Sequence, residues 1–126
     1  MGRLGDMSDT DCLFCTIVAG DVPADVVAET DACVAFRDIN AQAPTHVLVI
    51  PREHHENAAA LAAEDPDVLA DLVRTAHQVA ADEGLTDDLD ERGYRLVFNT
   101  GAGIGQSVFH VHLHVLGGRP MSWPPG

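Results

Sequence analysis

The sequence predicts an α+β fold with an antiparallel sheet. Short β-branched and aromatic runs are joined by turns of hairpin length, and the helical segments are collected separately from them. The 126 residues fit one domain, and 46% hydrophobic content beside ordinary charge marks a globular chain.

Residues 1–11 are polar and lack the apolar stretch of a signal peptide, so they read as a flexible N-terminus ahead of a single domain over residues 12–126. Met7 offers an alternative start. A short helix spans Asp11 to Ala19, with Asp11 as its cap and Gly20 as its stop. Asp21-Val22-Pro23 forms a turn. Val26 to Glu29 and Cys33 to Arg37 flank Thr30-Asp31 and read as a hairpin. After the Pro44 loop, His46 to Ile50 is a buried strand stopped by Pro51. Asn57 to Leu61 reads as a helical turn. The long helix starts at Asp65-Pro66, cap and first residue. Its apolar stripe (Leu69, Leu72, Val73, Ala76, Val79, Ala80) recurs every three or four residues, and Gly84 closes it. Thr86 to Arg92 is an acidic loop, Tyr94 to Asn99 a strand, Thr100 to Gly105 a glycine-rich loop, and Val108 to Leu116 the last strand. The tail from Gly117 to Gly126 should be extended.

The net charge is -13, and all seven basic residues are Arg. Without Lys the chain has no Walker-type phosphate lysine and no Schiff base. The acidity argues against long nucleic acids, whose affinity comes largely from cations on phosphates. A bound phosphate must therefore be held by backbone N–H groups, hydroxyls and imidazoles. No apolar run approaches the roughly 20 residues of a membrane span. Three Cys without an export signal argue against a disulfide framework. A cytoplasmic protein is expected.

The chemistry concentrates in His110-Val111-His112-Leu113-His114. On a strand these three His share one face, about 6.5–7 Å from one to the next, while Val111, Leu113 and Val115 face the core. Such a ridge serves metal ligation or nucleophilic and acid–base catalysis, since neutral imidazole is a nucleophile near pH 7. The preceding Gly101, Gly103 and Gly105 would let backbone N–H groups approach an anion. Cys12-Leu13-Phe14-Cys15 is a C-x-x-C pair, open to zinc ligation, redox chemistry or no role at all; redox is disfavoured because no βαβ pattern surrounds it. His77 on the long helix reads as a surface residue and Cys33 as a small core residue.

The run from Gly105-Gln106-Ser107 through His114-Val115-Leu116 resembles the signature of the histidine triad (HIT) family. The resemblance extends over Phe36-Arg37-Asp38-Ile39, over Ala43 to Pro51 and over Tyr94 to Asn99, and so covers nearly the whole of residues 12–126. The ending Trp123-Pro124-Pro125-Gly126 is similar to the branch of histidine triad nucleotide-binding proteins (Hint). The resemblance implies a five-stranded antiparallel sheet with one long and one short helix, extended across a homodimer. It implies hydrolysis of the P–N bond of purine nucleoside phosphoramidates (AMP-amine type) through a nucleotidyl-histidine intermediate.

By that resemblance His112 is the nucleophile, with a backbone carbonyl as the expected partner of its other nitrogen. His114 contacts the phosphate, and Ser107 donates near the scissile bond. Gln106 and the Gly105 amide hold phosphoryl oxygens, and Asn99 contacts the phosphate or leaving group. His110 completes the triad. Asp38 accepts the ribose hydroxyls, and Leu13, Phe14, Ile17, Phe36 and Ile39 form the purine pocket. Strand alternation, independently of the resemblance, puts His46 on one face with Leu48 and Ile50, which suits a supporting role behind these residues. The resemblance further implies a structural zinc on Cys12, Cys15, His54 and His110, with His55 as an adjacent competing ligand.

Four other readings compete. One is a metal enzyme using the ridge directly, which leaves Gly-Gln-Ser unexplained. Another is a nucleotide-binding or scaffold protein without turnover. A nucleotidyl transferase would carry Gln in place of His114. A dinucleoside polyphosphate hydrolase keeps the triad but has a different tail.

Overall fold

The computed structural model describes residues 12–126. The expected flexible N-terminus and the Asp11 cap lie outside the described residues. Helix α1 (Leu13–Val18) begins instead at Cys12, whose Sγ accepts the backbone N–H of Cys15. Strands β1 (Val26–Glu29) and β2 (Cys33–Arg37) form the hairpin, and β3 (Thr45–Pro51) follows. Helix α2 (Ala58–Glu64) is capped by Asn57. Helix α3 (Pro66–Asp82) is capped by Asp65, whose side chain accepts the N–H of Val68. Strand β4 (Tyr94–Val97), a 3-10 turn at Ala102–Ile104 and strand β5 (Leu113–Gly117) complete the domain. The five strands form one antiparallel sheet in the order β1-β2-β3-β5-β4.

Strand alternation divides the sheet into two working faces. Cys33, Ala35, Val47, Val49, Leu113 and Val115 pack with Leu72, Ala76, Val79 and Ala80 of α3. Val34, Phe36, Leu48 and Ile50 pack with Cys12 and Phe14 at α1. Strand β3 is buried throughout because both layers cover it. Cys33 is fully buried as expected, and its thiol donates to Asp71 of α3 at 3.0 Å, while His77 is exposed and pairs with the Tyr94 hydroxyl.

Two strands are shorter than the sequence implied. β4 stops at Val97, before Phe98-Asn99. β5 starts only at Leu113, so His110, Val111 and His112 lie outside the ladder. The cause is on β3, whose last residue, Pro51, has no N–H to donate. The Val111 N–H goes to the His55 carbonyl at 2.7 Å, and the Pro51 carbonyl takes the His110 ring at 2.9 Å. The three His therefore do not form one even ridge. His112 and His114 stay together, with ring centroids 5.0 Å apart, while the His110 ring is fully buried beside Cys12 and Cys15.

Candidate functional site

His112 is held by its own backbone. Its Nδ1 lies 2.9 Å from the His110 carbonyl. A carbonyl only accepts, so Nδ1 carries the proton and Nε2 of the neutral ring keeps its lone pair. The expected backbone partner is thus His110, which serves the nucleophile candidate through its carbonyl and not through its ring. Phe14 of α1 meets the His112 ring edge-on at 5.1 Å and Phe36 at 5.5 Å.

The proton positions on His46 and His114 follow in the same way. The Gln42 N–H donates to His46 Nδ1 at 3.0 Å, so the proton of neutral His46 sits on Nε2. That Nε2 lies 2.9 Å from His114 Nδ1 and donates to it. His114 therefore carries its own proton on Nε2, the one buried side-chain polar atom among the described residues with no hydrogen-bond partner. Burial pushes the His114 pKa down to about 4, helped by His112 and His46, so the ring is neutral at physiological pH. His46 is also shifted down by burial, against the opposing pull of Asp38. A neutral, orphaned N–H beside a nucleophilic nitrogen is a donor positioned for a ligand.

These rings open on a cavity of about 670 Å³, in the size range of small-molecule sites. The expected pocket residues Leu13, Phe14, Ile17, Phe36 and Ile39 line it. So do Asp38, Asn99, Gly105, Ser107, His112 and His114. Ile39 is 96% exposed, at the mouth and not in the core. Two expected roles need correction. Gln106 is buried and does not line the cavity; its Oε1 accepts the Gly101 N–H at 2.8 Å, and its Nε2 donates to the Glu56 and Val108 carbonyls. It braces the glycine loop instead of reaching a phosphate. The Gly105 N–H is likewise used inside the loop, on the Ala102 carbonyl at 3.1 Å, with φ +106° suited to glycine. Sequence reasoning missed Gln42, which acts through a backbone N–H that no residue type advertises. Val22 and Arg37 also line the cavity. Turn and strand propensities carried no sign of that.

Behind the site, Cys12 Sγ, Cys15 Sγ, His54 Nδ1 and His110 Nδ1 lie within 4.8 Å of one another. Cys12 Sγ lies 3.4 Å from His110 Nδ1, and Cys15 Sγ lies 3.4 Å from His54 Nδ1 and 3.5 Å from His110 Nδ1. Tetrahedral zinc, with Zn–S of about 2.3 Å and Zn–N of about 2.0 Å, requires S···N edges of about 3.5 Å. The proton on His110 faces the Pro51 carbonyl through Nε2, which leaves the Nδ1 lone pair toward the sulfurs. These four residues fit a structural zinc. His55 is not part of this cluster of ligand atoms, and its Nδ1 pairs with Glu64 at 2.7 Å. A second group, Asp38, His46 and His114, also comes within 4.8 Å. There the atom a metal would need, His46 Nε2, holds the proton set by Gln42, so the trio is a hydrogen-bonded relay. The reading of the ridge as a catalytic metal site loses its ligands.

A family model for the HIT domain matches residues 19–121. An uncharacterized HIT-like protein of Synechocystis is 49% identical over 116 residues, covering 92% of this chain and 97% of its own. A 14 kDa zinc-binding protein of Zea mays is 43% identical over 122 residues, covering 95% and 91%. Among solved structures, a HIT family hydrolase from Legionella pneumophila superposes with a TM-score of 0.84 at 50% identity, covering 91% of this chain and 99% of that one. The chain belongs to the HIT domain family.

Proposed function

We propose that the chain is a nucleotide hydrolase that cleaves the P–N bond of purine nucleoside phosphoramidates. The observation that carries this is the pairing of His112, its Nδ1–H committed to the His110 carbonyl, with the orphaned Nε2–H of His114 on the wall of one cavity. The Nε2 lone pair of His112 attacks phosphorus, and the P–N bond breaks toward the amine, which leaves with that electron pair and a proton from water. The ring then carries positive charge, which the bond from Nδ1–H to the His110 carbonyl stabilises. His114 Nε2–H donates to the phosphoryl group as charge develops. Water next attacks phosphorus and gives its proton to the hydroxide left by the first step, the P–Nε2 bond breaks with its electron pair returning to the ring, and a nucleoside monophosphate departs.

Asp38 takes the ribose hydroxyls, Leu13, Phe14, Ile17, Phe36 and Ile39 hold the base, and Ser107 and Asn99 contact the phosphate or leaving group. Support comes from their common place on the cavity and from the Legionella pneumophila relative, named a hydrolase. Zinc on Cys12, Cys15, His54 and His110 serves as a structural clamp when bound, and the relative from Zea mays is named for zinc binding. The active form is a cytoplasmic homodimer.

The test is release of AMP from adenosine 5′-phosphoramidate by the wild type and by His112→Ala. Turnover by the wild type alone is expected. No turnover by either, with AMP still bound, would replace this reading with that of a binding protein.

A further inference from the structure

The ribose end and the phosphoryl end of the cavity are joined by three side chains. Asp38 follows β2, and its backbone N–H donates to the His46 carbonyl at 2.9 Å, which fixes the two residues side by side. One Asp38 oxygen accepts the Asn40 N–H at 2.8 Å. The other lies 3.4 Å from His46 Nε2, the same atom that donates to His114 Nδ1 at 2.9 Å. The single Nε2–H of His46 thus faces two acceptors, one in the ribose site and one on the ring that points its own N–H at the phosphoryl group. His46 is buried, so no solvent competes for that proton.

We infer that Asp38 is a positioning residue as well as a ribose ligand: a ribose diol on its carboxylate releases the His46 N–H to His114 alone, and so tightens His114 as a donor. This rests on the nucleotide hydrolase reading above. Its consequence is selectivity in the chemical step. A uniform contact to the sugar would appear in KM alone, whereas a contact that strengthens a donor in the transition state appears in kcat. The substrate class singled out is ribonucleotides over deoxyribonucleotides, read partly by rate.

The experiment compares adenosine 5′-phosphoramidate with its 2′-deoxy analogue in the wild type, His46→Ala and His46→Gln. In the wild type the deoxy analogue should lose roughly fivefold in kcat, the size of one hydrogen bond, beyond any change in KM. In His46→Ala that kcat ratio should fall to about one, because the link is gone. His46→Gln keeps an N–H donor and should restore part of it. A deoxy defect confined to KM, or the same kcat ratio in the wild type and His46→Ala, overturns the inference. If the wild type turns over neither compound, the hydrolase reading has failed separately. The link is then read from the imidazole ¹⁵N shifts of His46 and His114 with AMP and with 2′-deoxy-AMP. Larger shifts with AMP support it; equal shifts, or none, overturn it.

Discussion

At the scale of single residues, the chemistry depends on which nitrogen holds each proton. The spacing of His110, His112 and His114 made the three rings legible in the sequence, whereas Cys12-x-x-Cys15 was joined to His54 only through the family resemblance. Their division of labour was not legible. It depends on the Pro51 and His110 carbonyls and the Gln42 N–H, which are main-chain groups that any residue type could present. Gln106 shows the converse: a polar side chain in a telling motif, spent on bracing a loop. The shift at His114 has a consequence for stability. Its ordinary value is 6.5, and burial brings it to about 4 in the native state. As pH falls through 6.5 the unfolded chain takes up a proton that the native ring refuses, so native stability declines between pH 6.5 and about 4. Denaturant unfolding across that window should show the decline, and His114→Gln should flatten part of it. An unchanged slope in the variant would mean that His114 does not titrate as its burial implies.

At the scale of elements, the start of α3 and the hairpin were read correctly because their signals are local; the start of α1 was not, since it is capped by the Cys12 thiol. Thr30-Asp31 sits between two β-branched runs, and Asp65-Pro66 caps and opens α3. The ends of β4 and β5 were misplaced because strand length is decided by the partner strand. β5 begins only where β3 can pair with it, at Val49↔Leu113. Helix α1 has six residues, too few to be stable by itself. It is held by Phe14 in the core and by Cys12 and Cys15 in the four-ligand cluster. Protein purified without chelator should therefore carry about one zinc per chain. Stripping it should lower Tm by roughly 5–10 °C and weaken AMP binding, because α1 supplies Leu13, Phe14 and Ile17 to the cavity. Cys12→Ser should do the same. Metal analysis with calorimetry checks this; a metal-free preparation of undiminished Tm would show that the cluster is held by its own hydrogen bonds.

At the scale of the whole molecule, the sheet order puts β3 in the centre, so its two faces serve different ends. One is filled by α3, and the other carries α1, His46 and the cavity. The fold class was legible because each face repeats every second residue along the strands. What the chain does with its sheet edge was not, since an edge strand reads like any other. Among the described residues β4 pairs only with β5, which leaves its outer edge uncovered by them. Joining two sheets there would cover it. Light scattering should give twice the 13.4 kDa of one chain, and Leu96→Pro on β4 should give the monomer. A wild-type mass of one chain would place the dimer reading in error.

The proposed reaction turns on a covalent bond between the His112 ring and phosphorus. Rapid acid-free quenching of enzyme with adenosine 5′-phosphoramidate, followed by peptide mass spectrometry, tests it most directly. An adenylyl group on the peptide carrying His112, absent from His112→Ala, is the predicted result. Full turnover with no adduct at any quench time, or an adduct on His114 instead, would contradict it.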